Sequence, residues 1–286
     1  MKTIKNISLM QKYSLKYRDK QKIGFVPTMG CLHEGHLSLI KRARKENDIV
    51  VLSIFVNPIQ FGPKEDFEKY PRDFKRDEKM AKGAGTDIVF YPLWKDMYPE
   101  GYKSYVEVKD LQDHLCGRSR PGHFKGVATV VAKLLNIIQP YNAYFGRKDA
   151  QQCIIIKQMA CDLNIPVNIK VLGTFRESDG LAMSSRNSYL SPKERMAALI
   201  VSKTLREIKK DILSGERDVN ILSKKANKLI KKEPLAKLDY FSFVDDRTLN
   251  KITKLSGNVL VSAAVRIGKS LDAAIILAKP SKSTLL

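Results

Sequence analysis

The run Ile49-Val-Val-Leu-Ser-Ile-Phe-Val56 is nearly continuous in apolar residues and rich in β-branched ones. A half-exposed strand would alternate; a parallel strand covered on both faces reads this way. A shorter apolar run, Ile23-Gly-Phe-Val26, precedes it and is bounded by a proline, as a buried strand would be. Between the two lies a helical pattern with Leu37, Ile40 and Ala43 on one face and Lys41, Arg42 and Arg44 on the other. Strand, helix and strand within about 35 residues make a right-handed βαβ unit, and hence a parallel sheet with helices on its faces.

The handover from the first strand to the helix is Val26-Pro-Thr-Met-Gly-Cys-Leu-His-Glu-Gly-His-Leu-Ser-Leu-Ile40, with His33 and His36 three residues apart. A helix N-terminus presents unpaired N–H groups and partial positive charge to an anion. Gly30 and Gly35 are expected to let the backbone turn tightly and a phosphate come close. Imidazoles there can donate to phosphate oxygens and carry charge as those oxygens gain it. A His-x-x-His pair also matches half of a metal site, but such a site needs three or four ligands, and only His114 and His123 remain.

Further along, Asn57 and Gln60 in Phe55-Val-Asn-Pro-Ile-Gln-Phe-Gly62 follow the second strand, where open α/β sheets bind ligands; residues alone leave a plain Asn-Pro turn equally open. Residues 63–86 read as a mostly solvated charged face, with a helix after Pro71 ending at Gly83, and Thr86–Tyr91 as a third strand. The segment 92–125 reads as loop-rich, with a strand at Ser104–Val108. It ends in Arg118-Ser-Arg-Pro-Gly-His-Phe-Lys-Gly126, where Arg120, His123 and Lys125 suit either an anion contact or a solvated turn. Val127–Ile138 has helical spacing. Ala143-Tyr-Phe-Gly-Arg-Lys-Asp-Ala-Gln-Gln152 then repeats the strand, glycine, charged turn and helix order. In it Gly146 frees the backbone, Lys148 is a compact cation suited to phosphate, and Asp149 suits ribose hydroxyls or a helix start. A strand over Ile165–Leu172 follows.

After Ser191-Pro-Lys-Glu, whose residues match a capping box with proline at the first helical position, the pattern changes to two helices (192–214 and 219–232). Apolar runs follow at Tyr240–Val244, Val259–Val265 and Ala273–Leu277. The expected fold is α/β, a Rossmann-like doubly wound parallel sheet over residues 1–175, with a smaller α+β domain over 176–286 and a frayed tail from Lys279. A first amphipathic helix is expected within residues 4–20.

Composition excludes some classes. Four scattered cysteines without a Cys-x-x-Cys pair argue against a disulfide framework or zinc ribbon. No apolar run is long enough to span a bilayer, and no signal-peptide core follows the N-terminus, so a cytoplasmic address is expected. Lys and Arg number 51 against 30 Asp and Glu, a net +21. That balance permits nucleic-acid binding, but the lysines are spread along the chain and no aromatic RNA-binding string accompanies them, so no nucleic-acid partner is expected.

The string Pro-Thr-Met-Gly-x-Leu-His-Glu-Gly-His resembles the pantothenate synthetase (pantoate:β-alanine ligase) family, within the His-x-Gly-His nucleotidyltransferases related to class I aminoacyl-tRNA synthetases. Phe-Val-Asn-Pro-x-Gln-Phe, Arg-Pro-Gly-His-Phe-x-Gly, Phe-Gly-x-Lys-Asp-x-Gln-Gln and Met-Ser-Ser-Arg are similar to further strings of that family, in the same order. The resemblance implies ATP contacts at Met29, Gly30, Cys31, Leu32, His33, Glu34, Gly35 and His36. It implies others at Gly146, Arg147, Lys148 and Asp149, at the backbone of Phe175, and at Met183, Ser184, Ser185 and Arg186 of the loop in residues 176–190. Cys31 and Arg147 occupy positions the family leaves variable. The resemblance further implies pantoate at Gln60, Gln152 and Asn57, β-alanine near Gln60, and a mobile site-lining loop around Arg120–Lys125.

The activity that the resemblance implies is ATP-dependent condensation of pantoate with β-alanine through pantoyl adenylate, releasing pyrophosphate and AMP. The catalytic groups would be His36, His33, Lys148 and Arg186. Magnesium would arrive with ATP, with no tightly bound organic cofactor and no dedicated metal cage, and the chain would form a homodimer. Another nucleotidyltransferase of the same fold and an idle basic RNA-binding module are the alternatives.

Overall fold

The computed structural model describes residues 1–63, 65–268 and 270–278, the last nine as backbone. The tail from Lys279 lies outside the described residues. The chain divides into two compact units. The first is Met1–Asp113, Gly117–Gly146 and Gln152–Leu172; the second is His114–Cys116, Arg147–Gln151 and Gly173–Leu286.

In chain order the elements are β1 (Lys2–Ile4), α1 (Ile7–Tyr17), β2 (Ile23–Thr28), α2 (Glu34–Glu46), β3 (Ile49–Ile54), α3 (Phe74–Gly83), β4 (Ile88–Phe90), α4 (Trp94–Met97), α5 (Leu115–Ser119), α6 (His123–Ile138), β5 (Asn142–Gly146), α7 (Ala150–Asp162) and β6 (Asn168–Leu172). Single 3-10 turns cover Pro58–Gln60 and Arg147–Asp149. The strands form one six-stranded sheet in the order β1-β4-β3-β2-β5-β6, every pair parallel. From β2 the chain winds to one side through β3 and β4, then returns to the other through β5 and β6. The order therefore reverses between β2 and β5, and the carboxyl ends of those strands flank the crevice where such sheets bind ligands.

The apolar runs explain the layers. All six residues of β3 are buried. Val26, Val50 and Leu52 cluster with Leu37, Ile40 and Ala43 of α2, while Phe25 and Val51 point to the opposite face by strand alternation and are fully buried too. A buried polar seam ties α2 to β5. Asn47 donates to Ala43 O and Tyr144 Oη, Asn142 donates to Asn47 Oδ1, and Tyr144 donates to Glu46. Burial first, and then the Glu46 bond, push the Tyr144 hydroxyl up to about 12, so it stays a donor.

Three local expectations change. β1 joins the sheet beside β4 ahead of α1, although three residues are too few to show a pattern. Ser104–Val108 is not a strand: the Val106 N–H donates to Thr129 Oγ1 instead of a neighbouring strand, and Tyr102 and Tyr105 pack edge to face with each other. Helix α6 begins at His123 rather than Val127, so half of the expected mobile loop is a helix start.

In the second unit, α8 (Pro192–Leu213) starts with the full reciprocal capping box of Ser191 and Glu194, and α9 (Val219–Ile230) is capped by Asp218. They accompany an antiparallel sheet β7-β8-β9 of Ala236–Asp245, Val259–Ile267 and Ser270–Ala278. Leu205, Ile208, Leu222 and Ala226 of the helices share one core with Phe243, Val261, Ala263 and Val265 of the strands.

Candidate active site

The histidine string leaves β2 through a turn that only certain backbones allow. Gly30 has φ +84°, Cys31 has φ +50°, and a Cβ at Gly30 would stand 2.9 Å from Asp77 Oδ2. Asp77, in the first turn of α3, accepts the N–H groups of Cys31 and Leu32 at 2.7 Å each. Arg76 of the same helix donates to Leu32 O at 3.1 Å. Burial raises the Asp77 pKa, against the lowering effect of those two N–H groups. Asp77 is only 1% exposed. Sequence reading missed it by taking residues 63–86 as a mostly solvated face; it is one acid among alternating charges, and no local pattern sets it apart.

Braced in this way, the chain runs extended through His33 into α2. The His33 and His36 rings stack with centroids 4.0 Å apart at 25°, half-buried at the helix N-terminus. Two imidazoles side by side at a partial positive charge are chemically able to donate to an anion such as phosphate. Gly35 is already within α2 and has no positive φ; the tight turn is made by Gly30 and Cys31 instead.

The Pro58–Gln60 turn follows β3. Asn57 is 1% exposed, and its Nδ2 donates to Gln60 Oε1 at 3.0 Å and to Gly126 O at 3.1 Å. Its Oδ1 accepts from Tyr98 Oη at 2.8 Å. Gln60 Nε2 rests on Met29 Sδ at 3.0 Å, which joins this turn to the histidine string. The turn and α6 touch at Gly126, where a Cβ would come within 2.4 Å of Ile59 O and 2.6 Å of Gln60 Cα. His123 donates from Nδ1 to Gln60 O at 2.8 Å, and its Nε2 accepts from Arg120 at 2.9 Å. Arg120 also forms a two-pronged pair with Glu65 at 2.6 and 2.7 Å. Arg120 and His123 thus hold the Gln60 turn through protein contacts.

The remaining strings have their own supports. β5 ends at Gly146, which pairs with Leu172, and Gln152 lies in the first turn of α7. In the second unit, Lys148 Nζ stands 4.0 Å from Asp149 Oδ1. Gln151, buried, accepts from Cys116 N–H and donates to His114 O, so this glutamine clamps the chain. Phe175 O accepts from Met183 N–H at 3.0 Å, and Arg176 and Ala182 form a bridge. Ser184 caps the 3-10 turn Ser185–Tyr189 by accepting from the Arg186 N–H. Asn187 donates to Glu177 and to Ala182 O, and Arg195 bridges Glu177 and Asp179 at 2.6 and 2.7 Å. Asn187 and Arg195 were not singled out in the sequence; nothing but the fold joins them to the serines.

Residues 2–274 match the family described as pantoate-beta-alanine ligase, a span that contains every one of these strings. The chain belongs to that family. It is 53% identical over 270 residues to the pantothenate synthetase of Heliobacterium modesticaldum, covering 94% of this chain and 96% of the relative. The pantothenate synthetase of Caldicellulosiruptor bescii is 49% identical, covering 98% and 100%. Among solved structures, Thermus thermophilus pantothenate synthetase superposes with a TM-score of 0.92 at 39% identity, over 96% of this chain and 99% of the other. A Francisella tularensis pantoate-beta-alanine ligase, complexed with beta-gamma ATP and beta-alanine, superposes at 0.79 and 38% identity, over 98% and 100%.

The sheet and the small antiparallel domain are accordingly those of a pantoate–β-alanine ligase, an ATP-using enzyme that joins an acid to an amine. The idle RNA-binding module and the other nucleotidyltransferase are not favoured by these matches. Among the described residues no helix is long and apolar enough to cross a membrane.

Proposed function

We propose that the ligation runs through an acyl adenylate formed over the stacked His33 and His36 pair. Pantoate's carboxylate oxygen attacks the α-phosphorus of ATP, the bond to the β-phosphate breaks, and pyrophosphate leaves. The β-alanine amine then attacks the activated carbonyl, loses a proton and expels AMP, leaving pantothenate. No protein nucleophile is required, since the adenylate is itself the activated species. The observation that carries this reading is the imidazole pair at the start of α2, with the Gln60 amide held against Met29 of the same string.

In this proposal the protein positions reactants and stabilises developing charge, the two tasks that dominate transfer at phosphorus. His36 is the key catalytic group, with His33, Lys148 and Arg186 as further donors to the phosphates. Met29–Leu32, Glu34 and Gly35 follow the ATP chain; Gly146, Arg147 and Asp149 take the nucleotide; the Phe175 backbone meets the adenine; and Met183, Ser184 and Ser185 grip the polyphosphate. Gln60 and Gln152 hold pantoate, and β-alanine approaches near Gln60. Asn57 acts through Gln60, since its amide is already committed to protein partners.

Magnesium is proposed to come on the ATP phosphates, because it prefers phosphate oxygens and water to an all-protein cage. Among the described residues no group of three or more His, Cys, Asp or Glu could hold a metal. There it would neutralise phosphate charge while these side chains orient the reactants. A cytoplasmic homodimer completes the reading. The Francisella tularensis ligase, captured with a nucleotide and beta-alanine, supports the substrate assignment.

The test is exchange of labelled pyrophosphate into ATP without β-alanine. Exchange that needs both pantoate and magnesium is expected. Its absence from folded protein would remove the adenylate from the mechanism.

A further inference from the structure

We infer that Tyr98 is a positioning residue for the pantoate site, acting through Asn57 to hold Gln60 as a hydrogen-bond donor. This rests on the proposed role of Gln60 in binding pantoate.

A peptide carbonyl only accepts hydrogen bonds, and Gly126 O lies 3.1 Å from one end of the Asn57 amide. That end must therefore be the NH2, and the same nitrogen faces Gln60 Oε1 at 3.0 Å. The opposite end is then the oxygen, and it meets the Tyr98 hydroxyl at 2.8 Å, so Tyr98 must donate. Reversing Asn57 would set its oxygen against Gly126 O.

With Asn57 fixed, Gln60 has no freedom either. Its Oε1 is occupied by Asn57, so the NH2 group turns the other way, toward Met29. One of its hydrogens rests on the Met29 sulfur, and the second remains to be given to a ligand. A donor suits a carboxylate or hydroxyl oxygen, which is the chemistry pantoate offers. Without the relay a glutamine amide is ambivalent and presents either end at little cost.

Tyr98 is built to stay a donor. Its ring packs on Phe55 and Tyr102, and the Lys133 ammonium lies 5.6 Å from its centroid. Burial, with Tyr102 and Tyr105 nearby, raises its pKa, so the hydroxyl keeps its proton.

The experiment compares wild type, Tyr98→Phe and Asn57→Asp by steady-state kinetics with pantoate and ATP varied separately, and by thermal melting. Tyr98→Phe keeps the ring and its stacking. It is expected to raise the pantoate KM about five- to tenfold, as loss of one buried hydrogen bond would, with the ATP KM within twofold of wild type. Asn57→Asp replaces the donor facing Gln60 by an acceptor, turns the Gln60 oxygen outward, and raises the pantoate KM further. It carries the test alone if Tyr98→Phe does not fold. An unchanged pantoate KM in both variants, or equal rises for pantoate and ATP, overturns the relay. Wild-type protein that shows no pantoate-dependent exchange overturns the underlying reading of the site instead.

Discussion

The Asp77 carboxylate accepts the backbone N–H groups of both Cys31 and Leu32 at 2.7 Å, one oxygen to each. A side chain some 46 residues downstream thus holds the turn that leads into the paired histidines. Asp77→Ala leaves both N–H groups without that acceptor in a buried place. Stability is expected to fall by about 3 kcal/mol, read as a lower urea midpoint at unchanged slope, and turnover should fall with it because His33 and His36 lose their brace.

His36→Ala should separate the two effects. The ring is half-buried at a helix start, and its removal costs little packing. Turnover is expected to drop about a hundredfold, on the order of 3 kcal/mol of transition-state stabilisation, while the melting temperature stays close to wild type. Near-normal kcat would take His36 out of the chemistry.

Gly126→Ala tests the contact between α6 and the Gln60 turn. The added methyl would lie within 2.4 Å of Ile59 O, a backbone atom that cannot rotate aside. A loss of about 2 kcal/mol is expected from the forced shift, measurable by denaturant titration. The pantoate KM should rise, since the same displacement moves Gln60.

The Arg120–Glu65 pair makes stability depend on pH. Burial alone would raise the Glu65 carboxyl, but the hydrogen bonds and charge of Arg120 outweigh it and hold it below the usual range. A lowered folded-state pKa means stabilisation that is present above the unfolded value near 4.5 and is lost as pH falls through the folded one. Glu65→Gln should therefore flatten the acid limb of a stability profile recorded by urea denaturation from pH 7 to pH 3. An acid limb as steep as that of wild type would remove Glu65 as its source.

Contiguity decided what could be read in advance. β3 was visible because both its faces are buried, which leaves an unbroken apolar run. The histidine string, Phe-Val-Asn-Pro-x-Gln-Phe and Met-Ser-Ser-Arg stand out as family strings because each sets its polar residues within a few neighbouring positions. Asp77, Tyr98 and Arg195 do not stand out, because their partners lie far along the chain and neither charge nor aromaticity says which residue will be buried against which. Ser104–Val108 reads as a strand since its alternation is genuine, but Val106 gives its N–H to Thr129. The Arg120–Lys125 stretch looked like a loop because Pro121 and Gly122 interrupt it, while His123 already begins α6.

The two amides held by Asp77 give the histidine turn a lifetime of its own. Their acceptor sits on α3, a helix of ten residues whose outer side faces solvent, and short peripheral helices open far more often than the centre of a sheet. Each time α3 detaches, Cys31 and Leu32 lose their acceptor while β2 and β3 remain paired beneath them. Asp77 thus ties the histidine turn to the docking of α3, and deuterium uptake at Cys31 and Leu32 is expected to keep time with local opening of that helix rather than with unfolding of the sheet.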